Sequence, residues 1–482
     1  MKRTLILIAL VLLSSSLLFA GETYESLYKS MLHSNPALLK AHEETRKAEL
    51  DVKDARGSRG PTIEMTAAAT HIINNPLEKV HLSDVSSRAS DSLSELLDGY
   101  DNYVGATGDN IGYLDYLKSQ NMLSTDPLLY EMDSNLFMMQ LNITQPLFTW
   151  GKLSNAEKIY KDVRTVRQLE ESDAESKAAV ELKTRLAAIY YLSRLIETLD
   201  REDEIASKLV DLSDQAFRNG MMIELDVKSA RIDALEVRVG MSQAKAQLDD
   251  VLEGLRTMTG KPELSIEDID FTPDESEYRR IAEADREALL ESALSPSRTP
   301  LRMLSLLESV AQKKERIAED GQYWKPDFAL TASVNYGGQG LPVIDGDFFD
   351  STHLFGTFSL GMKTTLWDGG KKLNEVARSK SDVALARLER SNAENTIRTA
   401  LSSAFSTLDT ALSQIDYLEL KKEVDQSREK QKEMMLKHGS TSESELLKAQ
   451  LEVNKHDVEK YKQYILLSQA VYTIEYLSDI QL

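Results

Sequence analysis

Residues 137–144 read Phe137-Met138-Met139-Gln140-Leu141-Asn142-Ile143-Thr144 and run on through Gln145-Pro146-Leu147-Phe148-Thr149-Trp150 into Gly151-Lys152. Phe137, Met139, Leu141 and Ile143 alternate with Met138, Gln140, Asn142 and Thr144, the period-two signature of a β-strand with one apolar face. Directly beyond Gly151 the pattern becomes that of a very long helix, Lys152 to Arg218. The strand is then matched elsewhere. Leu366-Trp367-Asp368-Gly369-Gly370-Lys371 resembles Leu147 to Lys152 after 219 positions, and Lys437-His438-Gly439 resembles Arg218-Asn219-Gly220 at the same separation. Glu224, Asp226, Lys228 and Ala230 stand opposite Glu443, Glu445, Leu447 and Ala449.

Upstream, Asn35-Pro36 corresponds to Thr299-Pro300 and Gly60-Pro61 to Lys325-Pro326, at an offset near 265. The change of offset places about 46 extra residues between Pro61 and Leu147. Self-similarity of this kind predicts two structural repeats, 21–258 and 301–482, joined by a linker at 259–300. Each repeat is expected to hold a helical stretch (Glu22 to Arg56; Leu301 to Asp320), a strand after a proline, a loop and a second strand. A long helix (Lys152 to Arg218; Lys371 to Lys437), a glycine turn and a return helix complete it. At 1.5 Å per residue the long helices reach roughly 100 Å.

The first return helix carries Val227, Ala230, Ala234, Val237, Met241, Ala244, Leu248, Val251, Leu255 and Met258 at alternating spacings of three and four, a heptad seam. In the second return helix the seam of Leu446, Ala449, Val453, His456, Lys460, Gln463, Leu467, Ala470, Ile474 and Leu477 is interrupted by three polar residues and is expected to be partly wet. A helix from Arg279 to Leu294 is expected within the linker.

Three further stretches alternate as 137–144 does: Ile63 to Ala69, Phe328 to Tyr336 and Phe358 to Met362. One face is apolar and the other holds hydroxyls, amides and charges, the pattern of a barrel with lipid outside and water within. Trp150 and Trp367 follow the second strand of each half, and Trp324 precedes the first strand of the second half. Those ends share one side in an up-down arrangement, where an interfacial aromatic girdle belongs. Four strands cannot close alone, since the smallest barrels have eight and lipid does not tolerate open edges. The expected fold is an α+β membrane protein: a trimeric 12-stranded β-barrel, four strands per chain, continuous with a long α-helical coiled-coil barrel. The strand loops, His71 to Asp133 and Gly337 to Thr352, are expected to face the cell exterior.

Composition closes other routes. Lys+Arg number 57 against 78 Asp+Glu, a net charge of −21, which disfavours nucleic acid as a partner. With no Cys there are no disulfides, thiolate metal sites or cysteine nucleophiles. A mean hydropathy of −0.35 argues against a multi-span helical membrane protein. Residues 1–20, with Met1-Lys2-Arg3, an apolar stretch from Leu5 to Leu13 and a terminal Ala20, have the form of a secretory signal peptide. The 7 His show no HExxH spacing, and no phosphate-binding loop or GxSxG elbow is present. His438 and His456 are read as structural or solvated. No catalytic residue, metal site or cofactor is therefore expected.

The duplicated order strand–loop–strand–long helix, Gln145-Pro146-Leu147-Phe148 running into Gly151-Lys152, and Gly220 followed by Asp226-Val227-Lys228-Ser229-Ala230-Arg231 resemble the outer-membrane efflux (TolC-like) family. The resemblance implies a homotrimer in outer-membrane lipid with its helical tunnel in the periplasm. It implies an exit duct for efflux or type I secretion, working with an inner-membrane transporter and a periplasmic adaptor, without catalysis. By it the tips at Gly220 and Gly439 form the entrance, with Asp226 and Glu445 at the family's acidic positions and Glu224 and Glu443 beside them. Lys448 and Thr441 stand where the family often has an acid and an arginine, with Lys437 or Arg231 as substitute cations. From the residues alone, acids repeated around a narrow mouth favour cations, while helix N-termini also attract acids for their own stability. A trimeric coiled-coil adhesin or envelope spacer would need neither paired halves nor an entrance turn. A periplasmic adaptor has one hairpin rather than two.

Overall fold

The structure, a computed structural model, describes residues 21–75, 79–81, 128–130, 133–322, 325–339 and 353–479. The expected signal segment, most of both strand loops and Trp324 lie outside the described residues. In chain order the elements are β1 (Glu22–Thr23), α1 (Tyr24–Ser34), α2 (Pro36–Gly57), β2 (Thr62–His71), β3 (Val80–His81), β4 (Leu128–Tyr130), β5 (Asn135–Phe148), α3 (Lys152–Arg218) and α4 (Glu224–Thr259). There follow β6 (Ile269–Asp270), α5 (Glu275–Glu283), α6 (Arg286–Ala293), α7 (Thr299–Gln322), β7 (Asp327–Gln339), β8 (Leu354–Lys363), α8 (Lys371–Lys437) and α9 (Glu443–Ser478). Two compact units each draw on both halves of the chain: Lys53–Glu157 with Glu319–Lys372, and Met1–Val52 with Lys158–Ala318 and Leu373–Leu482.

The first unit is built on one antiparallel sheet in the order β2-β5-β7-β8, so strands of both halves pair with each other. Its register sorts the side chains into rows. Ile63, Ile143, Ala332 and Phe358 lie in one row and Ala67, Met139, Tyr336 and Leu354 in another of the same face. On the opposite face Thr62, Thr144, Thr331 and Ser359 form a row, as do Glu64, Asn142, Ser333 and Thr357. Ser333 Oγ and Thr357 Oγ1 share a 2.6 Å hydrogen bond, and Asn335 Nδ2 donates to Ser333 Oγ at 3.0 Å. The alternation expected from sequence is thus kept across four strands, although Gly337 and Gly338 extend β7 instead of opening the loop. The apolar face is bare: Ile63, Met65, Phe358, Leu360 and Met362 are each more than 60% exposed. A short β3–β4 pairing lies within the expected first loop.

Each second strand ends in a left-handed pair, Trp150-Gly151 (φ 53° and 79°) and Gly369-Gly370 (φ 68° and 84°). These positions match across the repeat, and glycine accepts such φ without a Cβ penalty. Trp150 is held there by its indole N–H, which donates to the Pro326 carbonyl at 2.9 Å. Lys152 then bonds both carboxylate oxygens of Asp327 at 2.8 and 2.9 Å. Asp368 caps α8 by accepting from the Gly370 and Lys372 N–H groups, each at 3.0 Å.

The second unit is helical. α3 and α8 are both 67 residues long, and α4 and α9 are both 36. Reversal occurs at Gly220 (φ 75°) and Gly439 (φ 70°). Seven of the ten expected α4 seam residues are buried, and Leu255 is fully enclosed. In α9 the tip end of the seam turns by one to two positions, burying Leu447 and Leu451 instead of Leu446 and Ala449. Buried at the centre lie Tyr191, Tyr278, Leu408, Ile415, Leu467 and Val471.

Two helical expectations are corrected. Glu22 to Arg56 is not one helix: Glu22–Thr23 pairs in parallel with Ile269–Asp270, and α1 stops at Asn35 because Pro36 has no N–H to continue the ladder. Asn35 Oδ1 accepts from the Ala37 N–H at 2.9 Å and opens α2. The expected linker helix from Arg279 to Leu294 is likewise two, because Asp285 accepts from the Glu287 and Ala288 N–H groups and starts α6 anew. No helix among the described residues is long and apolar enough to cross a membrane.

Candidate functional site

At the tip of the first hairpin α4 starts at Glu224, and Ile223 at the cap position has no side chain able to receive its N–H groups. Glu224 and Asp226 therefore stand in a first turn whose N–H donors favour negative charge. Lys228 reaches back to Glu224 at 2.8 Å. Asp226 is exposed and makes no ion pair among the described residues. In the second hairpin Ser442 caps α9, its hydroxyl accepting from the Glu445 N–H at 3.3 Å. Glu443 is exposed, whereas Glu445 is bracketed by Lys432 at 2.5 Å and Lys448 at 3.3 Å. The Lys432 bond first, then the Lys448 bond, hold the Glu445 carboxyl below its usual range.

The cations considered from sequence pair elsewhere. Arg231 holds Asp214 across the hairpin at 2.9 and 3.1 Å, and Lys437 holds Glu433 at 2.9 Å. Lys432, not singled out in the sequence, is the cross-hairpin partner of Glu445. A second feature the sequence did not bring forward is a salt bridge in the α8–α9 seam: His456 Nε2 meets Asp425 Oδ2 at 2.8 Å, with Arg428 on the other oxygen at 2.6 Å. His456, read as an interruption that lets water in, is 5% exposed. The His456 bond holds the Asp425 carboxyl below its ordinary value, and Arg428 adds to this.

Behind the tips the hairpins pack on each other through Ala206 and Leu209 of α3, Ala234 of α4, and Leu447 and Leu451 of α9. Met221, Ile223 and Leu225 leave the first tip exposed and apolar. Trp150 and Trp367 are both exposed beyond their strands. No group of acids and histidines among the described residues could hold a metal ion.

Comparison with known proteins follows the same lines. The sequence model of the Outer membrane efflux protein family matches residues 114–261. Outer membrane protein TolC of Escherichia coli (strain K12) is 24% identical over 302 residues, which cover 59% of this chain and 57% of that protein. In sequence the chain is similar to the outer membrane efflux protein family. Its fold matches that of VceC from Vibrio cholerae with a TM-score of 0.66 at 14% identity, covering 94% of this chain and 96% of VceC. The CmeC outer membrane channel of Campylobacter jejuni matches with a TM-score of 0.68 at 12% identity over 94% and 85% of the two chains. The MtrE outer membrane channel of Neisseria gonorrhoeae, in its open state, matches at 0.64 and 12% identity over 94% and 88%. Long helices and four antiparallel strands per chain are thus the family fold, and the outer membrane is the family's location. Members are homotrimeric channels and not enzymes.

Proposed function

We propose that this chain is one third of an outer-membrane exit duct for efflux or type I secretion, fed by an inner-membrane transporter through a periplasmic adaptor. One observation carries the reading: a four-stranded sheet with a bare apolar face and two ten-residue edge strands, β2 and β8, that pair on one side only among the described residues. In lipid each unpaired backbone group costs several kcal/mol, so those edges need partners. With four antiparallel strands, β2 and β8 run in opposite directions. β8 of one copy can therefore pair antiparallel with β2 of the next, and three copies close a ring of twelve. Trp150 and Trp367 belong to its interfacial girdle.

In this reading the hairpin tips turning at Gly220 and Gly439 form the periplasmic mouth, and three copies of Glu224, Asp226, Glu443 and Glu445 ring it. Asp226 and Glu443 set most of the cation preference, because the lysines beside Glu224 and Glu445 offset those charges. The bare Met221, Ile223 and Leu225 suit an apolar contact with the adaptor. Single-channel recording in planar bilayers tests the entrance. Asp226→Ala combined with Glu445→Ala is expected to raise conductance and weaken cation selectivity, with most of the selectivity change arising from Asp226→Ala alone. Unchanged currents in the double variant refute the assignment.

A further inference from the structure

Glu202 lies on α3 at the seam position between Leu199 and Ala206, both buried, where hydrophobic residues otherwise pack against α4 and α9. It is 3% exposed, and its Oε1 has no hydrogen-bond partner. A carboxyl in that setting is costly when charged and cheap when protonated. The charged groups around it are few. From α9 come Lys455, held by Glu452 at 2.9 Å, and Lys462, held by Glu459 at 3.1 Å. From α4, Asp233 faces Lys455. Arg238 of α4 is taken up by Asp203 at 2.7 Å, and Arg201 of α3 turns back to Thr198 at 3.2 Å. The other face of α9 is tied to α8 by His456 and Asp425. α9 is therefore fixed by a buried hydrogen bond on one side and meets an unpaired buried acid on the other.

We propose that Glu202 is a proton-operated latch: protonated, it lets α9 seat on the first hairpin, and ionised, it loosens that contact and frees the two tips to separate. The separation of the tips, unlike the loosening of α9, rests on their reading as a channel entrance. Burial pushes the Glu202 carboxyl from an ordinary 4.5 up to about 7, and Lys455 and Lys462 counter this in part. The sign follows from linkage. A carboxyl raised by folding adds a stabilising contribution that is full below about 4.5 and is lost as pH rises through about 7. The latch is thus closed in mildly acidic surroundings and released in alkaline ones.

Hydrogen exchange on the intact detergent-solubilised protein between pH 5.5 and 8.5, corrected for intrinsic exchange, tests this. Protection in residues 199–209 and 447–458 is expected to fall about ten-fold or more over that range. Glu202→Gln is expected to keep protection level with pH, and Lys455→Met to move the wild-type transition to higher pH. Glu277 of α5, also pushed up to about 7 by burial and by Glu475, provides an internal control whose local pH response is expected to persist in Glu202→Gln. An identical pH slope in wild type and Glu202→Gln, or no upward move in Lys455→Met, overturns the latch. Bilayer currents separate the two readings. Alkaline opening present in wild type and absent in Glu202→Gln supports the link to the tips. Exchange that behaves as expected in a protein that conducts no current overturns the channel instead.

Discussion

Phe358 is the fifth of ten residues in β8, 74% exposed, in the row completed by Ala332, Ile143 and Ile63. If that row faces hydrocarbon near the membrane midplane, Phe358→Lys introduces a charge costing about 2–4 kcal/mol there. It also forfeits about 1.5–3 kcal/mol of apolar transfer from the lost ring. Together this is about 4–7 kcal/mol per copy and about 10–20 kcal/mol in a closed trimer, comparable with the whole stability of an ordinary domain. Ser359→Lys supplies the control one residue away. Ser359 sits in the row with Thr331, Thr144 and Thr62, which faces water in a closed barrel. Refolding into lipid vesicles, followed by the fraction that migrates as a heat-sensitive oligomer on unboiled gels, is the assay. Phe358→Lys is expected to abolish the oligomer band. Ser359→Lys is expected to assemble normally and shift ion selectivity toward anions. Equal loss in both variants, or loss only in Ser359→Lys, refutes the lipid-facing assignment.

Other outcomes follow from the same geometry. Leu255→Ala, at a fully enclosed seam position, is expected to destabilise the helical unit by about 2–5 kcal/mol, read from denaturant melts by circular dichroism. Gly439→Ala puts a Cβ into a left-handed turn with no neighbouring atom to clash, so it is expected to cost about 1–2 kcal/mol and to raise hydrogen exchange at the tip alone. Asp425→Asn is expected to lower stability at neutral pH and flatten the acid limb of the pH–stability curve. The depressed carboxyl stabilises the fold above its ordinary value of 3.8 and loses that contribution as pH falls below it. Lys432→Ala is expected to free Glu445 and increase cation selectivity in bilayers.

The long helices could be read to the residue, because Gly220 and Gly439 interrupt them and heptad spacing needs no knowledge of partners. The strands were equally legible: alternation fixes the face of each residue, and pairing between β5 and β7 preserves it across the two halves. Local backbone chemistry decided what was missed. Pro36 and Asp285 each restart a helix inside a stretch whose hydrophobic pattern runs on, and a capping side chain outweighs periodicity there. The candidate entrance was readable only in part. Acids near the turns are visible in any sequence, but whether a lysine covers them depends on which arms of a hairpin face each other. Lys432 and Glu445 lie at nearly equal distances on either side of Gly439, as do Asp203 and Arg238 around Gly220. Counting outward from each glycine finds these pairs. Glu202 defied a pattern reading because an acid in a seam looks like a solvated helix face until the third helix, α9, is in place.

The mass of the detergent-solubilised complex, measured by light scattering with the detergent contribution subtracted, is the most direct test of whether this chain builds its pore by sharing strands. A protein mass of three chains of about 54.1 kDa, with membrane-inserted β-structure in reconstituted vesicles, is the expected result. A water-soluble single chain without inserted strands contradicts it.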